Sequence, residues 1–398
     1  MKIMVIARLF SGLNTLLESG HWEHAGSPAY YHFIRGLDAE TSWDYTLCFL
    51  LPHPYTGFEC KRSLNITNLR SSALIVPYYS LPFSSSFTLI KKAEYFYNKL
   101  SQYIAVLPSL IGSNCFYIDR ENLLLGAFLL PFKKKIAVRL LGVTESVYLN
   151  VTQKRNIYSS LLRYVFTHRN SLFICTRDGS FSDQMGAWLS WKRFYIFFNG
   201  IDIERIERNK RREDRPFTIV SVSRLEKNKG QSQLLQAAKH SGVKNIRIIL
   251  IGEGVERRKL ESLAKELELE DRTIFTGKLI HNNAIKYLEE ADLVVSLNCN
   301  GVFGNNVLEA AQVGLPVIAL EHPGCQDENQ KYFCMIPRKE TTEKTAHAIY
   351  RFVKDPDFAR HYGEKSQNFS KQQLISWKHR IEKEFVLLDE FYNEKKAE

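Results

Sequence analysis

Beyond residue 216, short runs of aliphatic and β-branched residues alternate with segments whose apolar positions return every three or four residues. The first kind, at 218–222, 246–251, 274–276, 293–297 and 317–320, predicts strands. The second, at 231–240, 255–267 and 283–290, predicts amphipathic helices. Near-continuous apolar strands separated by such helices imply a parallel sheet covered on both faces, an α/β arrangement. Ligands of such sheets bind beyond the carboxyl ends of the strands. The first half repeats the theme less regularly, with candidate strands at 3–7, 45–51, 73–77, 116–118, 136–140, 172–175 and 195–198. A first helix is expected to open at Gly26-Ser27-Pro28, with Ser27 as N-cap and Pro28 in the first turn. Residues 53–72 and 78–90 are long connections without clear period, either functional loops or elements the pattern does not reveal.

Between the two series, residues 204–216 are so dense in charge that nothing in them suits a core, and Pro216 precedes the next strand. This run predicts a hinge. The 398 residues then divide into a first domain over 1–204, a linker over 205–216, a second domain over 217–375 and a terminal helix over 376–398. Two cores are the expectation for this length. Seven dispersed cysteines, at 48, 60, 115, 175, 299, 325 and 334, fit free thiols better than a disulfide framework or a zinc site. No run approaches the ~20 apolar residues of a bilayer span, and no signal-like segment precedes the first strand. The expected address is the cytoplasm, extending to the inner face of the membrane.

Charge sharpens this picture. Of the net +11, residues 1–210 hold 24 basic against 15 acidic side chains, which leaves +2 for the rest. A basic first half suits an anionic membrane surface or a phosphorylated acceptor, or serves solubility alone. Nucleic acid is not an expected partner, because the pI near 9.1 comes without clustered aromatic and basic motifs. The stretch 87–111 sets Lys91, Lys92 and Lys99 among Leu89, Ile90, Phe96, Tyr97 and Tyr103. It reads either as a helix packed on its own core, the commoner case, or as a basic amphipathic helix on a membrane.

Four segments carry candidate chemistry. Ser223-Arg224-Leu225-Glu226-Lys227-Asn228-Lys229-Gly230 lies between a strand and a helix, so Arg224 and Lys229 leave the sheet where helix amides also point, a site suited to a diphosphate. Gly252-Glu253-Gly254 follows the next strand and serves a tight turn or the close approach of a ligand. In the third segment, Gly301-Val302-Phe303-Gly304-Asn305-Asn306-Val307 leads into a helix that ends before Gly314 and Pro316. Its first-turn amides suit phosphate oxygens. Glu309 is the only charge on that helix, and a carboxylate accepts two hydrogen bonds, as the paired hydroxyls of a ribose require. The fourth, Phe198-Asn199-Gly200-Ile201-Asp202, is a turn signal in any fold.

Together these segments, with Phe275-Thr276-Gly277 and the Ser376-Trp377 opening of a charged terminal helix, resemble the family 4 (group 1) retaining glycosyltransferases. The likeness covers residues 195–320 well and is vaguer before them. It implies a GT-B fold, two Rossmann-like domains facing across a cleft. It implies transfer of a sugar from a nucleotide-diphosphate sugar to a glycan or lipid-linked acceptor, in the synthesis of cell-surface polysaccharide or lipopolysaccharide, with neither metal nor cofactor beyond that donor. Arg224 and Lys229 would bind the pyrophosphate and Glu309 the ribose. Gly252, Gly254 and the backbone of Phe303, Gly304, Asn305, Asn306 and Val307 would line the donor. Gly26, Ser27 and Gly142 would belong to the first-domain wall of the cleft. Two positions depart from the family pattern. Gly301 stands where a Glu that reaches the transferred sugar is usual, and Leu141-Gly142 stands where His-Gly is usual. A non-catalytic scaffold that binds a nucleotide sugar is the rival these departures support.

Overall fold

The computed structural model describes residues 2–8, 28–53, 63–66, 69–80, 88–204, 215–325 and 328–394. Gly26, Ser27 and the linker over 205–214 lie outside the described residues. Two α/β domains result. In the first, β1 (Lys2–Arg8), β2 (Asp44–His53), β3 (Ser63–Leu64), β4 (Ala73–Tyr79), β5 (Cys115–Asp119), β6 (Lys135–Leu140), β7 (Ser171–Thr176) and β8 (Phe194–Phe197) form one sheet in the order β3-β4-β2-β1-β5-β6-β7-β8. Among these strands β3 alone runs antiparallel, against β4. The second sheet joins β9 (Phe217–Val222), β10 (Ile246–Ile251), β11 (Thr273–Gly277), β12 (Leu293–Ser296), β13 (Val317–Leu320) and β14 (Cys334–Ile336), in the order β11-β10-β9-β12-β13-β14. Its strands are all parallel.

Burial explains the sheets. Ile219 and Val220 are neighbours on β9, yet they enter different apolar clusters, one on each face of the sheet. Side chains alternate across a strand, so both faces are covered and the strand must be apolar throughout. Each sheet changes direction of winding once, between β1 and β5 in the first domain and between β9 and β12 in the second. A crevice opens at the carboxyl ends of the strands at such a point.

The terminal helix Trp377–Asn393 belongs to the first domain's core rather than to a separate appendage. Its Trp377, Ile381, Phe385, Leu388 and Phe391 pack with Phe33 and Leu37 of the helix Pro28–Glu40 and with β1 and β2. Gly36 permits the contact, because a Cβ there would stand 2.8 Å from Ile381. The chain therefore crosses between domains twice, and the crossings touch. The amide of Ile201 donates to Ile375 (2.9 Å), that of Trp377 to the Asp202 carboxylate (2.8 Å). A Cβ on Gly200 would clash with the Trp377 backbone. The Asn199-Gly200 turn is thus shaped by the paired crossings. Arg215, at the end of the expected linker, is anchored to the second domain through Asp292 at 2.8 Å.

Candidate active site between the domains

The loops that follow β9 and β12 meet at the second domain's switch point. After β9 the chain turns through Ser223 to Gly230, where a φ of +77° and contact with Leu297 leave no room for a side chain. The helix Gln231–His240 begins there. Arg224 is 73% exposed and pairs with Glu226 at 2.6 Å. Lys229 lies deeper, its Nζ donating to the Asn298 side chain of the β12 loop at 3.3 Å. Burial and the nearby positive charge of Arg224 hold its ammonium below the ordinary lysine value. The two cations are close enough to oppose each other, which a bound polyanion would relieve.

Gly252 and Gly254 act on this loop from behind. A Cβ on either would run into the backbone of Ser223 or Leu225, and the Leu225 amide donates to Glu253 at 3.0 Å. Their smallness lets one turn brace the next.

On the β12 side, Gly304 caps the helix Asn305–Gln312 with an extended backbone. The amide of Val307 is spent on the Gly304 carbonyl (2.9 Å), that of Phe303 on the Asp178 carbonyl across the cleft (2.9 Å). Their side chains are core: Phe303 packs against Phe198, Phe333 and Phe369, and Val307 is fully buried. The amides of Asn305 and Asn306, in the first turn, have no carbonyl four residues back within the helix. Their side chains fix the helix tip, Asn306 donating to Ser296 (3.1 Å) and Asn305 accepting from Asn199 (2.7 Å).

Glu309 sits one turn further, its side chain 12% exposed and 3.8 Å from His281. Burial pushes its carboxyl up to about 8, and burial holds the His281 imidazole below its ordinary value. At neutral pH the contact therefore joins two uncharged groups and is not an ion pair. His281 opens the helix after β11, and neither it nor Asp178 stands out in the sequence. Both follow a strand's carboxyl end, and that was the signal available.

The first domain's wall comes from the loops after β6 and β7. Gly142 has φ +95° and faces Asp178. The next loop reaches over: Gly179 lies against Val302 and Phe303, and the Phe181 ring stands edge-on to His322 at 5.5 Å. Among the described residues no group of three or more His, Cys, Asp or Glu is placed to hold a metal ion.

Residues 202–369 match the family model described as glycosyl transferases group 1. The chain is similar to the N-acetylgalactosamine-N,N'-diacetylbacillosaminyl-diphospho-undecaprenol 4-alpha-N-acetylgalactosaminyltransferase of Campylobacter jejuni, 27% identical over 191 residues, which cover 46% of this chain and 51% of that one. It is also similar to the lipopolysaccharide core biosynthesis glycosyltransferase LpsD of Rhizobium meliloti, 37% identical over 108 residues, covering 27% and 30%. The chain thus spans about half the length of the first relative and less of the second. Among solved structures, HepE of Anabaena in complex with UDP matches with a TM-score of 0.64 at 15% identity, over 97% of this chain and 98% of that one. WaaG, a glycosyltransferase involved in lipopolysaccharide biosynthesis, matches at 0.61 and 14% identity, over 98% and 100%.

Proposed function

We propose that this chain, whose residues 202–369 match the model of glycosyl transferases group 1 and whose fold is GT-B, is a glycosyltransferase that moves a sugar from a nucleotide-diphosphate sugar to a glycan or lipid-linked acceptor, with retention at the anomeric carbon. The observation that carries this reading is the convergence of Lys229, Arg224 and the tip of the helix Asn305–Gln312 at one switch point, with Glu309 a turn beyond. Cations and free amides favour the diphosphate, most of all as charge builds on it during departure. Glu309 suits the ribose, whose hydroxyls supply the hydrogen bonds its burial denies it. Cell-surface polysaccharide or lipopolysaccharide is the product class we infer, in keeping with the names of WaaG and LpsD.

The test is a thermal-shift panel of UDP, GDP and ADP with their glucose and N-acetylglucosamine conjugates, followed by donor hydrolysis on every hit. A ligand at 100 times its Kd stabilises by about 2.7 kcal/mol, so a tight donor moves the midpoint by several degrees. In the hit, Glu309→Ala is expected to weaken the nucleotide by about tenfold or more, the cost of two lost hydrogen bonds. No shift with any nucleotide removes the reading. Binding with neither hydrolysis nor transfer favours the scaffold that Gly301 and Leu141 left open.

The acceptor side has its own observation. The helix Thr88–Val106 buries Glu94, Asn98 and Gln102 and exposes Phe96, Tyr97, Leu100 and Ile104, with Phe96 69% exposed and Gln102 only 4%. The helix does pack on its own core, the commoner expectation, through Tyr103, Ala105 and Val106, yet it leaves these large apolar side chains outside. Gln102 is held inside by Asn122 at 3.2 Å. The outward apolar face and the basic first half together fit an anionic lipid surface, and among the described residues no helix is long and apolar enough to cross a membrane. The protein is expected to float with vesicles containing anionic lipid, less so at high salt. Replacing Phe96, Leu100 and Ile104 with Ser should cut the bound fraction by roughly tenfold or more, since each such side chain contributes on the order of 1.5–3 kcal/mol when buried. Failure of the parent protein to float at low salt overturns this docking.

A further inference from the structure

Asp178 is a carboxylate in the cleft with no part in the reading so far. It lies on the loop after β7, where the first domain touches the second, and its carbonyl takes the Phe303 amide at 2.9 Å. Its own loop holds the carboxyl in place: Ser180 donates to Oδ1 from the amide at 3.0 Å and from the hydroxyl at 2.5 Å. Oδ2 is turned the other way, toward Gly142, into space that any side chain there would fill. On the opposite side, a Cβ at position 301 would stand 2.5 Å from the Asp178 carbonyl oxygen and 3.4 Å from its carboxyl carbon. Two glycines, one from each domain, therefore make room for one carboxyl.

That carboxyl is connected to the phosphate side of the cleft in short steps. Lys229 donates to Asn298 (3.3 Å), Asn298 donates to the Gly301 carbonyl (3.3 Å), and Gly301 abuts Asp178. A sugar attached to a diphosphate held by Lys229 would project into the space between the domains, toward this wall. We propose that Asp178 accepts hydrogen bonds from hydroxyls of the sugar being transferred, giving from the first domain the carboxylate contact that Gly301 cannot give from the second. The inference rests on the nucleotide-sugar reading above. Burial raises the Asp178 carboxyl to about 7 against the lowering pull of the two Ser180 hydrogen bonds, and further hydroxyls donating to it would favour its charged form. The positions at which this chain lacks the usual His and Glu, 141 and 301, flank this same group, directly at Gly301 and through Gly142.

The experiment compares Asp178→Asn with the parent for UDP, GDP or ADP, whichever binds, and for the matching sugar nucleotide. Asn keeps an oxygen for Ser180 and removes only the charge and one acceptor. Affinity for the nucleoside diphosphate is expected to stay within about twofold, while kcat/KM for the sugar nucleotide falls about 10- to 100-fold, the usual loss of hydrogen bonds to a charged group. Deoxy-sugar donors give the second readout. One position on the sugar should cost the parent at least about tenfold and cost Asp178→Asn little more, the coupling expected of direct partners. Unchanged turnover in Asp178→Asn overturns the assignment. Should Asn unfold the loop, the deoxy series on the parent alone decides, and a series in which no hydroxyl matters overturns it equally. Failure of all three nucleoside diphosphates to bind the parent is a different result, which removes the nucleotide reading first and this contact with it.

Discussion

Lys229→Ala is expected to lower kcat by about 10²- to 10³-fold, the usual cost of removing one preorganised donor aimed at developing charge. Thermal stability should move little, because within the protein Lys229 Nζ makes one long hydrogen bond, to Asn298. Arg224→Ala should act in the same direction and less strongly. Arg224 is largely exposed and already paired with Glu226, so water screens what it offers, whereas the half-buried Lys229 acts through a lower effective dielectric. The ordering is itself a check. Both variants should bind the nucleoside diphosphate more weakly than the parent, and the greater loss should appear in kcat, where charge on the departing diphosphate is largest. Steady-state kinetics on the donor found in the ligand panel would decide it. Near-parental turnover in Lys229→Ala would place the leaving group elsewhere.

How much of this was legible in the sequence depended on distance along the chain. Each predicted strand is present, usually a residue or two longer, because a strand buried on both faces is apolar throughout and shows as a run. The strands not foreseen, β3 with two residues and β14 with three, are too short to make a pattern. The cation loop and the helix tip were legible because each is a strand–loop–helix unit whose chemistry is local. Phe303 and Val307 were legible as part of the loop, while the burial of their side chains was not: a ring after Gly301-Val302 looks the same whether it faces a ligand or Phe198, Phe333 and Phe369. The helix Thr88–Val106 shows by its period, but period alone does not say that Glu94, Asn98 and Gln102 share the inward side with Tyr103 and Val106 while Phe96, Leu100 and Ile104 face out. Asp178 was silent for a stronger reason. Its meaning comes from Gly142, 36 positions earlier, and Gly301, 123 positions later, and no local pattern reports such a meeting.

The terminal helix hides the clearest case of long-range meaning, and with it the largest expected effect on stability. Glu384 is fully buried between two fully buried arginines. Its Oε2 accepts from Arg139 of β6 (2.7 Å) and from Arg380 one turn earlier (2.9 Å), while Oε1 accepts from Tyr117 of β5 (2.5 Å). Arg380 also donates to the Phe198 carbonyl (3.2 Å) and lies over the Phe197 ring (4.3 Å), at the first crossing between domains. In sequence, Glu384 is one acid among many on a charged helix. In the fold it is the counter-charge for two guanidinium groups that water does not reach. Glu384→Ala strands both, and breaking such a buried group by removing one partner costs about 3–5 kcal/mol. Replacing Arg139, Arg380 and Glu384 together with Met or Leu should cost clearly less, because a buried ion cluster exchanged for apolar side chains of similar volume leaves no charge behind. The pair of measurements separates charge from packing. Urea unfolding followed through Trp377, which stacks on His32 within the same core (4.5 Å), should show the single variant falling further than the triple. The reverse order would mean that the helix is held by shape alone, and that its buried acid is incidental to the domain it closes.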